Sequence, residues 1–151
     1  MRRTPQRCCC ETVEKDAGGS PFLCNLVMET EKNRLFRSAL WTGTHLQTTL
    51  MLIPRGGEVG EEVHTDTDQM LFITSGHGAL FLEDKERGCY REYFVECGTA
   101  IFIPQGTKHN VKNIGKTPLR LFSVYAPPHH PFGTRQETKQ DADLQEENRQ
   151  N

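Results

Sequence analysis

The stretch that decides the fold is GTAIFIPQGTKHNVKN, residues 98–113. Gly98 marks a tight turn, and Pro104 and Gly106 form a second one, because glycine supplies positive φ and proline fixes φ near −65°. At average usage of about 7% Gly and 5% Pro, these three positions coincide by chance in roughly one window of four thousand. The spacing therefore predicts two short strands joined by a rigid corner, with His109 at the head of the second strand.

A second stretch, residues 56–76, carries further polar groups. Glu62 and His64 are two residues apart, so on a strand their side chains project from the same face. The polar turn that follows returns the chain and places Gln69 on the neighbouring strand. Together with His109, the sequence predicts four metal-capable groups that converge inside a barrel.

The rest of the central region alternates short apolar runs with Gly/Pro turns at intervals of about 8–12 residues, which is typical of an antiparallel sandwich or barrel. The fold class we expect is all-β, a single-domain antiparallel β-barrel or jelly roll. It occupies residues 21–133, between a flexible N-terminal tail (1–20) and a polar C-terminal tail (134–151). The predicted strands are 22–28, 34–41, 46–53, 61–64, 70–74, 79–83, 90–95, 100–103, 109–113 and 119–125.

Composition excludes several classes of function. The 151 residues hold 18 Lys and Arg against 20 Asp and Glu, a net charge of −2, which argues against nucleic acid as the main partner. No run of about 18 apolar residues is present, so we expect no membrane span. The N-terminus lacks the apolar segment of a signal peptide, which indicates a cytoplasmic protein. Three consecutive cysteines, 8–10, indicate an exposed reduced tail rather than a disulfide framework.

The two polar stretches resemble the motifs of the cupin superfamily. The second cupin motif is Gly, five residues, Pro-x-Gly, two residues, His, three residues, Asn, and it matches from Gly98 to Asn113 without exception. The first motif is Gly, five residues, His-x-His, three or four residues, Glu, six residues, Gly. It matches in spacing from residue 56 to 76, but Glu62 stands at the first His and Gln69 at the Glu. The flanks 36–43, 46–47 and 123–131 are similar to small bacterial single-domain cupins labelled mannose-6-phosphate isomerase-like.

The resemblance implies a divalent metal ion (Fe, Mn, Ni or Zn) bound by Glu62, His64, Gln69 and His109. The usual set of three imidazoles and one carboxylate carries a charge of −1, and this set keeps that charge because the carboxylate has moved to another position. Two histidines and one carboxylate with open positions suit Fe(II) and similar ions. The neutral Gln69 oxygen would be a weak fourth ligand. Pairing His64 with Asp66 instead breaks the family's spacing, so we prefer Glu62 with His64.

Three functions stay open. The first is a metal-dependent enzyme, of isomerase or dioxygenase type, acting on a small polar oxygenated or sugar-like molecule, with Glu62 doubling as general base. The second is a non-catalytic cupin that binds or senses a metal or a small ligand. The third and least favoured is a structural or coat-type protein. The four residues could also form a hydrogen-bonded polar cluster without metal.

Other histidines and the pocket walls are less constrained. His77 is interpreted as exposed, and His45 as structural or exposed. His129 and His130, which lie among prolines, are interpreted as an exposed extended segment, with a lid over the barrel mouth as the alternative. Alternation places Gln47, Thr49 and Met51 on one face of their strand and Leu50 and Leu52 on the other, and the sequence does not decide which face lines the pocket. Either Phe102 or Tyr125 could line its mouth. We expect a homodimer, because the apolar segment 22–28 would pair or swap as an edge strand.

Overall fold

The computed structural model describes residues 15–150. The elements are α1 Leu26–Lys32, β1 Arg37–Thr42, β2 Gln47–Ile53, β3 Asp68–Ser75, β4 His77–Asp84, β5 Cys89–Glu96, β6 Ala100–Ile103, β7 His109–Asn113, β8 Leu119–Ala126, β9 Arg135–Gln136 and α2 Lys139–Gln150. The strands form a six-stranded antiparallel sheet, ordered β6-β3-β8-β2-β1-β9, and a three-stranded sheet, ordered β5-β4-β7. Neither helix among these residues is long and apolar enough to cross a membrane.

The expected all-β fold is confirmed, and strands β1 to β8 fall on predicted segments. Two of the predictions, 100–103 and 109–113, coincide with β6 and β7 at both ends. Segment 61–64 is not a full strand; it forms an isolated bridge between Glu62 and His109. Strands β1 to β8 could be predicted because the sequence shows both their turn residues and the two-residue alternation of apolar side chains.

The main core lies between the two sheets and is built from aliphatic side chains of both. On β2 the buried side chains of Gln47, Thr49 and Met51 share the inner face. Leu50 points to the other face, where it joins Phe122 in a smaller apolar cluster. The inner face of β2 is therefore polar at its Gln47 end and apolar at its Met51 end.

Segment 22–28 was expected to be an edge strand, and the structure shows instead that helix α1 begins at Leu26. The Asn25 side chain caps the helix by accepting the backbone N–H of Met28 at 3.1 Å. Leu26 then packs with Phe122 on the outer face of the six-stranded sheet. An apolar run of this length fits a strand or a helix, and the cap decides for the helix. The homodimer stays a prediction, but strand exchange by this segment is no longer its basis.

The C-terminal segment, expected to be a polar tail with at most a short, frayed helix, is a strand and a 12-residue helix in the structure. Strand β9 pairs with β1, and α2 begins at a capping box in which Thr138 and Asp141 exchange side-chain-to-backbone hydrogen bonds of 3.2 and 3.0 Å. Ala142 of α2 is buried in the main core. Polar side chains add further contacts: Gln136 donates to Gln145 Oε1 at 2.9 Å, and Arg149 donates to the carbonyl of His129 at 3.2 Å.

The part of the expected N-terminal tail that the structure describes also contacts the barrel. The backbone N–H of Ala17 donates to the carbonyl of Leu40 at 2.9 Å. The Asp16 carboxylate accepts the backbone N–H groups of Thr42 and Gly133, at 2.9 and 3.0 Å. These bonds tie residues 16 and 17 to β1 and to the approach to β9. The three cysteines at 8–10 lie outside the described residues.

Candidate metal centre

The structure brings the four predicted residues together at one end of the interior. Glu62, His64 and His109 each offer one ligand atom, and these atoms lie within 4.8 Å of one another. Glu62 Oε2 is 3.5 Å from His64 Nε2 and 3.9 Å from His109 Nε2. Gln69 Oε1 lies 2.9 Å from His109 Nε2. The arrangement has the donor atoms and the spacing to hold a metal ion.

The two sequence motifs are locked to each other by backbone hydrogen bonds. Glu62 and His109 exchange two N–H to carbonyl bonds of 2.9 Å, which sets their side chains beside each other. The Pro104–Gly106 turn adds a third bond, from the Gly106 N–H to the His64 carbonyl at 2.6 Å. Gly106 has φ +77°, so the turn needs a residue without a Cβ. Gly106 of the second motif therefore fixes the backbone of His64 in the first motif.

His109 has its lone pair on Nε2, the atom that faces the site. Burial lowers the pKa of His109, which favours the neutral ring with a single N–H. Nδ1 lies 2.9 Å from the carbonyl oxygen of Thr107, which can only accept, so the proton is on Nδ1. Nε2 then faces Gln69 Oε1, a second acceptor, at 2.9 Å. Two acceptor atoms this close fit a cation between them.

Further buried atoms of the site have no hydrogen-bond partner among residues 15–150. They are Glu62 Oε2 and both ring nitrogens of His64. A buried polar atom without a partner costs about 1–3 kcal/mol, so three in one place require an explanation. Turning the Gln69 amide over would satisfy its contact with His109 but would leave these three atoms unchanged. The residues present therefore fit a metal ion.

An arginine that the sequence analysis missed stands beside the carboxylate. Arg37 on β1 is 4% exposed; one of its terminal nitrogens donates to Glu62 Oε1 at 2.9 Å and the other to Gln136 Oε1 at 3.0 Å. Burial alone would raise the pKa of Glu62, but Arg37 and the two histidines outweigh it and lower the pKa to about 2. Glu62 is therefore ionised, and Arg37 leaves its second oxygen open.

Two histidines expected to be exposed also belong to the site. The ring of His129 lies 4.2 Å from that of His64, centroid to centroid, and His130 is 7% exposed. Gln47 holds both, because its side-chain oxygen accepts their backbone N–H groups at 3.2 and 2.9 Å. Burial lowers the pKa of both histidines, that of His130 to about 2. His45 and His77 are exposed, as predicted.

Tyr125, one of the two aromatic residues considered for the mouth, lies wholly buried in the site. Its hydroxyl is 3.3 Å from His130 Nε2, and its ring lies 5.7 Å from that of His64. Burial raises the pKa of Tyr125 to about 12, so the hydroxyl stays protonated. The other residue, Phe102, is 77% exposed on β6 and takes no part.

A cavity of about 250 Å³ reaches Glu62 and His64 of the predicted cluster, whereas Gln69, His109 and Tyr125 do not line it. Its inner wall is made by Arg37, Glu62, His64 and His129, and helix α2 forms the outer wall. The size and the polar lining suit a small polar molecule. The C-terminal helix therefore shapes the entrance to the site.

Comparison with known proteins agrees with this architecture. Residues 49–125 match the Cupin domain family. The uncharacterized protein YrkC of Bacillus subtilis is 47% identical over 128 residues, which cover 85% of this chain and 69% of YrkC. The crystal structure of BH2720 from Bacillus halodurans has 46% identity and a TM-score of 0.83, and the match covers 86% of this chain and 98% of BH2720.

A more distant match shows the fold alone. Bacillus subtilis oxalate decarboxylase, described with Mn(II) centres, is 20% identical with a TM-score of 0.54 over 58% of this chain and 23% of its own. These findings support the cupin superfamily but not the mannose-6-phosphate isomerase-like grouping. With the family match over half its length and both motifs joined at one buried site, the chain belongs to the cupin domain family.

Proposed function

We propose that this protein binds a divalent metal ion through Glu62, His64 and His109, with Gln69 as a weak fourth ligand, and acts there on a small oxygenated molecule. One observation carries the proposal: Glu62, His64 and His109 bring one ligand atom each to within 4.8 Å of one another, and Glu62 Oε2 and both ring nitrogens of His64 are buried without a hydrogen-bond partner among residues 15–150. A polar cluster without metal would pair these atoms with one another or with neighbouring donors. A divalent ion satisfies all of them at once.

The ligand set favours a first-row transition metal. Two imidazoles, one carboxylate and open positions suit Fe(II), and Mn, Ni and Zn accept similar donors. Mn(II) belongs in the test because an oxalate decarboxylase with the same fold is described with Mn(II) centres. The Nδ1–H of His109 is already fixed on the Thr107 carbonyl, as expected of an oriented ligand.

The pKa of Glu62 separates the two roles predicted for it. At about 2, the carboxylate is a weak base, so Glu62 serves better as a ligand than as a general base. His129 lines the cavity beside His64 and is a better candidate to accept or hold a proton there. When bound, the metal supplies a Lewis acid or a redox centre, and the isomerase and dioxygenase types both remain proposals.

A second function, non-catalytic binding or sensing, is favoured by one feature of the site. Arg37 takes one oxygen of the only carboxylate in the ligand set, and Gln69 adds no charge. Both features lower the affinity for a metal ion. A weakly held ion suits a protein that responds to metal concentration, and measured affinity together with turnover separates the two functions.

Elemental analysis of the purified full chain tests the metal site. We expect about one metal ion per chain in the wild type after anaerobic reconstitution with Fe(II), Mn(II), Ni(II) or Zn(II). Glu62→Ala and His109→Ala should lose it. The control His77→Ala, a histidine whose side chain is 57% exposed, should retain it. Absence of metal in the reconstituted wild type, or equal loading in all four proteins, would refute the proposal.

A further inference from the structure

Strand β5 is a long, exposed edge of the three-stranded sheet. Its eight residues pair with β4 on one side, and no described strand pairs with its other side. Seven of the eight are exposed, and Val95 is the exception. About half of the backbone N–H and C=O groups of an edge strand face away from the sheet and can pair with a further strand. β5 therefore presents a surface that another β-strand fits.

The other sheet edges within residues 15–150 are protected from such pairing. β6 has four residues and is followed by Pro104, and β9 has only two residues. β7 is covered by residues 58–62, which form two isolated bridges with it. β5 is twice as long as β6, pairs with β4 without a bulge and contains neither proline nor lysine, so it lacks these common means of protecting an edge. This contrast indicates that β5 is available to a partner.

Aromatic side chains lie on both faces of β5. Tyr90 and Phe94 share one face, where they are 45% and 61% exposed, and Tyr93 is 45% exposed on the opposite face. A second strand beside β5 removes part of these rings from water and so stabilises the pair of strands. Arg91, the charged residue on the face of Tyr93, is already paired with Asp84 at 2.6 Å, so its charge does not oppose an approaching strand.

We propose that β5 pairs antiparallel with β5 of a second copy of this chain, so that the two three-stranded sheets join across a twofold axis. Such an axis requires one residue of the strand to lie opposite its own copy. The two registers with the longest overlap are centred on Glu92 and on Tyr93. The first places two glutamates directly opposite each other, which is destabilising, whereas the second places an aromatic pair there, which is stabilising. The sequence of β5 therefore favours the register centred on Tyr93.

This register also suits the other side chains of the strand, because each charged residue of β5 faces an uncharged residue of the second copy. These pairs are Arg91 with the partner's Val95, Glu92 with the partner's Phe94, and Glu96 with the partner's Tyr90. The strand is thus complementary to itself, as an interface between two identical copies requires. None of the residues of the candidate metal centre lies on β5, so the pairing does not depend on a metal ion.

Light scattering of the full chain during size-exclusion chromatography tests the interface. The wild type should have about twice the chain mass of 17.2 kDa. Tyr93→Lys places two like charges opposite each other and should raise the dissociation constant of the dimer at least about tenfold. The control Phe102→Lys, at a side chain 77% exposed on the edge strand β6 of the other sheet, should leave the dimer intact. A monomeric wild type, or a Tyr93→Lys protein that dimerises as tightly as the wild type, would overturn the proposal.

A disulfide cross-link tests the register in the unaltered chain. The Tyr93 register places Cys89 opposite the partner's Cys97, and both cysteines are free and exposed. Within one chain they are eight residues apart along β5, about 27 Å, which is beyond the reach of a disulfide. Opposed residues of two antiparallel strands lie about 4.5–5.5 Å apart, which is within that reach. A Cys89–Cys97 disulfide therefore forms only between two chains.

Mild oxidation with diamide, followed by peptide mapping with mass spectrometry, detects this link. We expect the oxidised wild type to contain a covalent dimer with Cys89 joined to Cys97. Cys97→Ser should lose the link and still form the dimer by light scattering. A wild-type dimer that forms no Cys89–Cys97 link on oxidation would overturn the pairing, whatever the behaviour of Tyr93→Lys.

Discussion

The two ends of the barrel interior are built on the same strands, but one end is a packed apolar core and the other is a polar site. Along the paired strands β2 and β8, the inward-facing pairs are Ile53 with Leu119 and Met51 with Leu121 at one end. At the other end the inward pairs are Thr49 with Ser123 and Gln47 with Tyr125. The backbone register does not change between them, so side-chain identity alone turns a packed core into a polar site.

The contrast has an energetic meaning. Each fully buried aliphatic side chain at the first end contributes about 1.5–3 kcal/mol to stability. Each buried polar atom without a partner at the second end costs about 1–3 kcal/mol. Burial at the aliphatic end stabilises the fold against the cost of the unpaired polar atoms at the site end. The wholly buried side chains at the aliphatic end are Ile53, Ile73, Leu119 and Leu121. The comparison leads to four predictions, in order of decreasing effect.

The largest effect is expected from a cavity at the aliphatic end. Leu121→Ala should lower the free energy of unfolding by about 2–5 kcal/mol, because the side chain is fully buried and its neighbours cannot collapse completely. Chemical denaturation of the metal-free protein measures the change. The control Leu23→Ala, at a side chain 92% exposed, should stay within about 0.5 kcal/mol. A loss below about 1 kcal/mol for Leu121→Ala would mean that this end is not tightly packed.

A charge effect of somewhat smaller size is expected at the site end. Glu62→Met should destabilise the metal-free protein by about 3 kcal/mol, since it leaves Arg37 buried without its ion pair. The double variant Arg37→Met/Glu62→Met should be close to wild type in stability or above it. Thermal and urea unfolding of the two single variants and the double variant complete the cycle. Additive losses would show that the two side chains are not coupled.

The asparagine of the second motif should behave as a residue of the aliphatic end. Asn113 donates to the carbonyls of Ile53 and Thr117, at 3.0 and 2.9 Å, and accepts the Gly115 N–H at 2.9 Å. Asn113→Ala should cost about 1–3 kcal/mol of stability and leave the metal content unchanged. Urea unfolding and elemental analysis measure the two quantities. A loss of metal in a folded Asn113→Ala protein would show that the motif acts as one unit.

The sequence was sufficient for strands β1 to β8 and for the clustering of Glu62, His64, Gln69 and His109, because turn chemistry and alternation are local signals. It was not sufficient for Arg37, whose partner Glu62 is 25 positions away and becomes its neighbour only through the sheet. The signal available was an arginine in the interior of the predicted strand 34–41. His129 and His130 were missed because a proline-rich segment suggests exposure, and their anchor, Gln47, is more than 80 residues distant.

The helices were harder to predict for a different reason. Helix α2 contains one leucine, Leu144, which is 51% exposed, so hydrophobic periodicity gives no sign that the helix docks. Ala142 and the hydrogen-bonded side chains of Gln145 and Arg149 make its contacts, and the capping box at Thr138 marks its beginning. At α1, the Asn25 cap was the deciding residue in a run that also fits a strand. In both cases the cap held more information than the apolar pattern.

The smallest effect on stability is expected for His64→Leu, a variant that should lose metal binding completely. His64→Leu should change the stability of the metal-free protein by less than about 1 kcal/mol, or raise it, because both ring nitrogens of the buried histidine lack partners. The same variant should hold no metal. Leu121→Ala, with its metal content intact, is the opposite case. A loss of several kcal/mol in metal-free His64→Leu would show that His64 supports the fold, and the division of the interior into a stabilising end and a binding end would then be wrong.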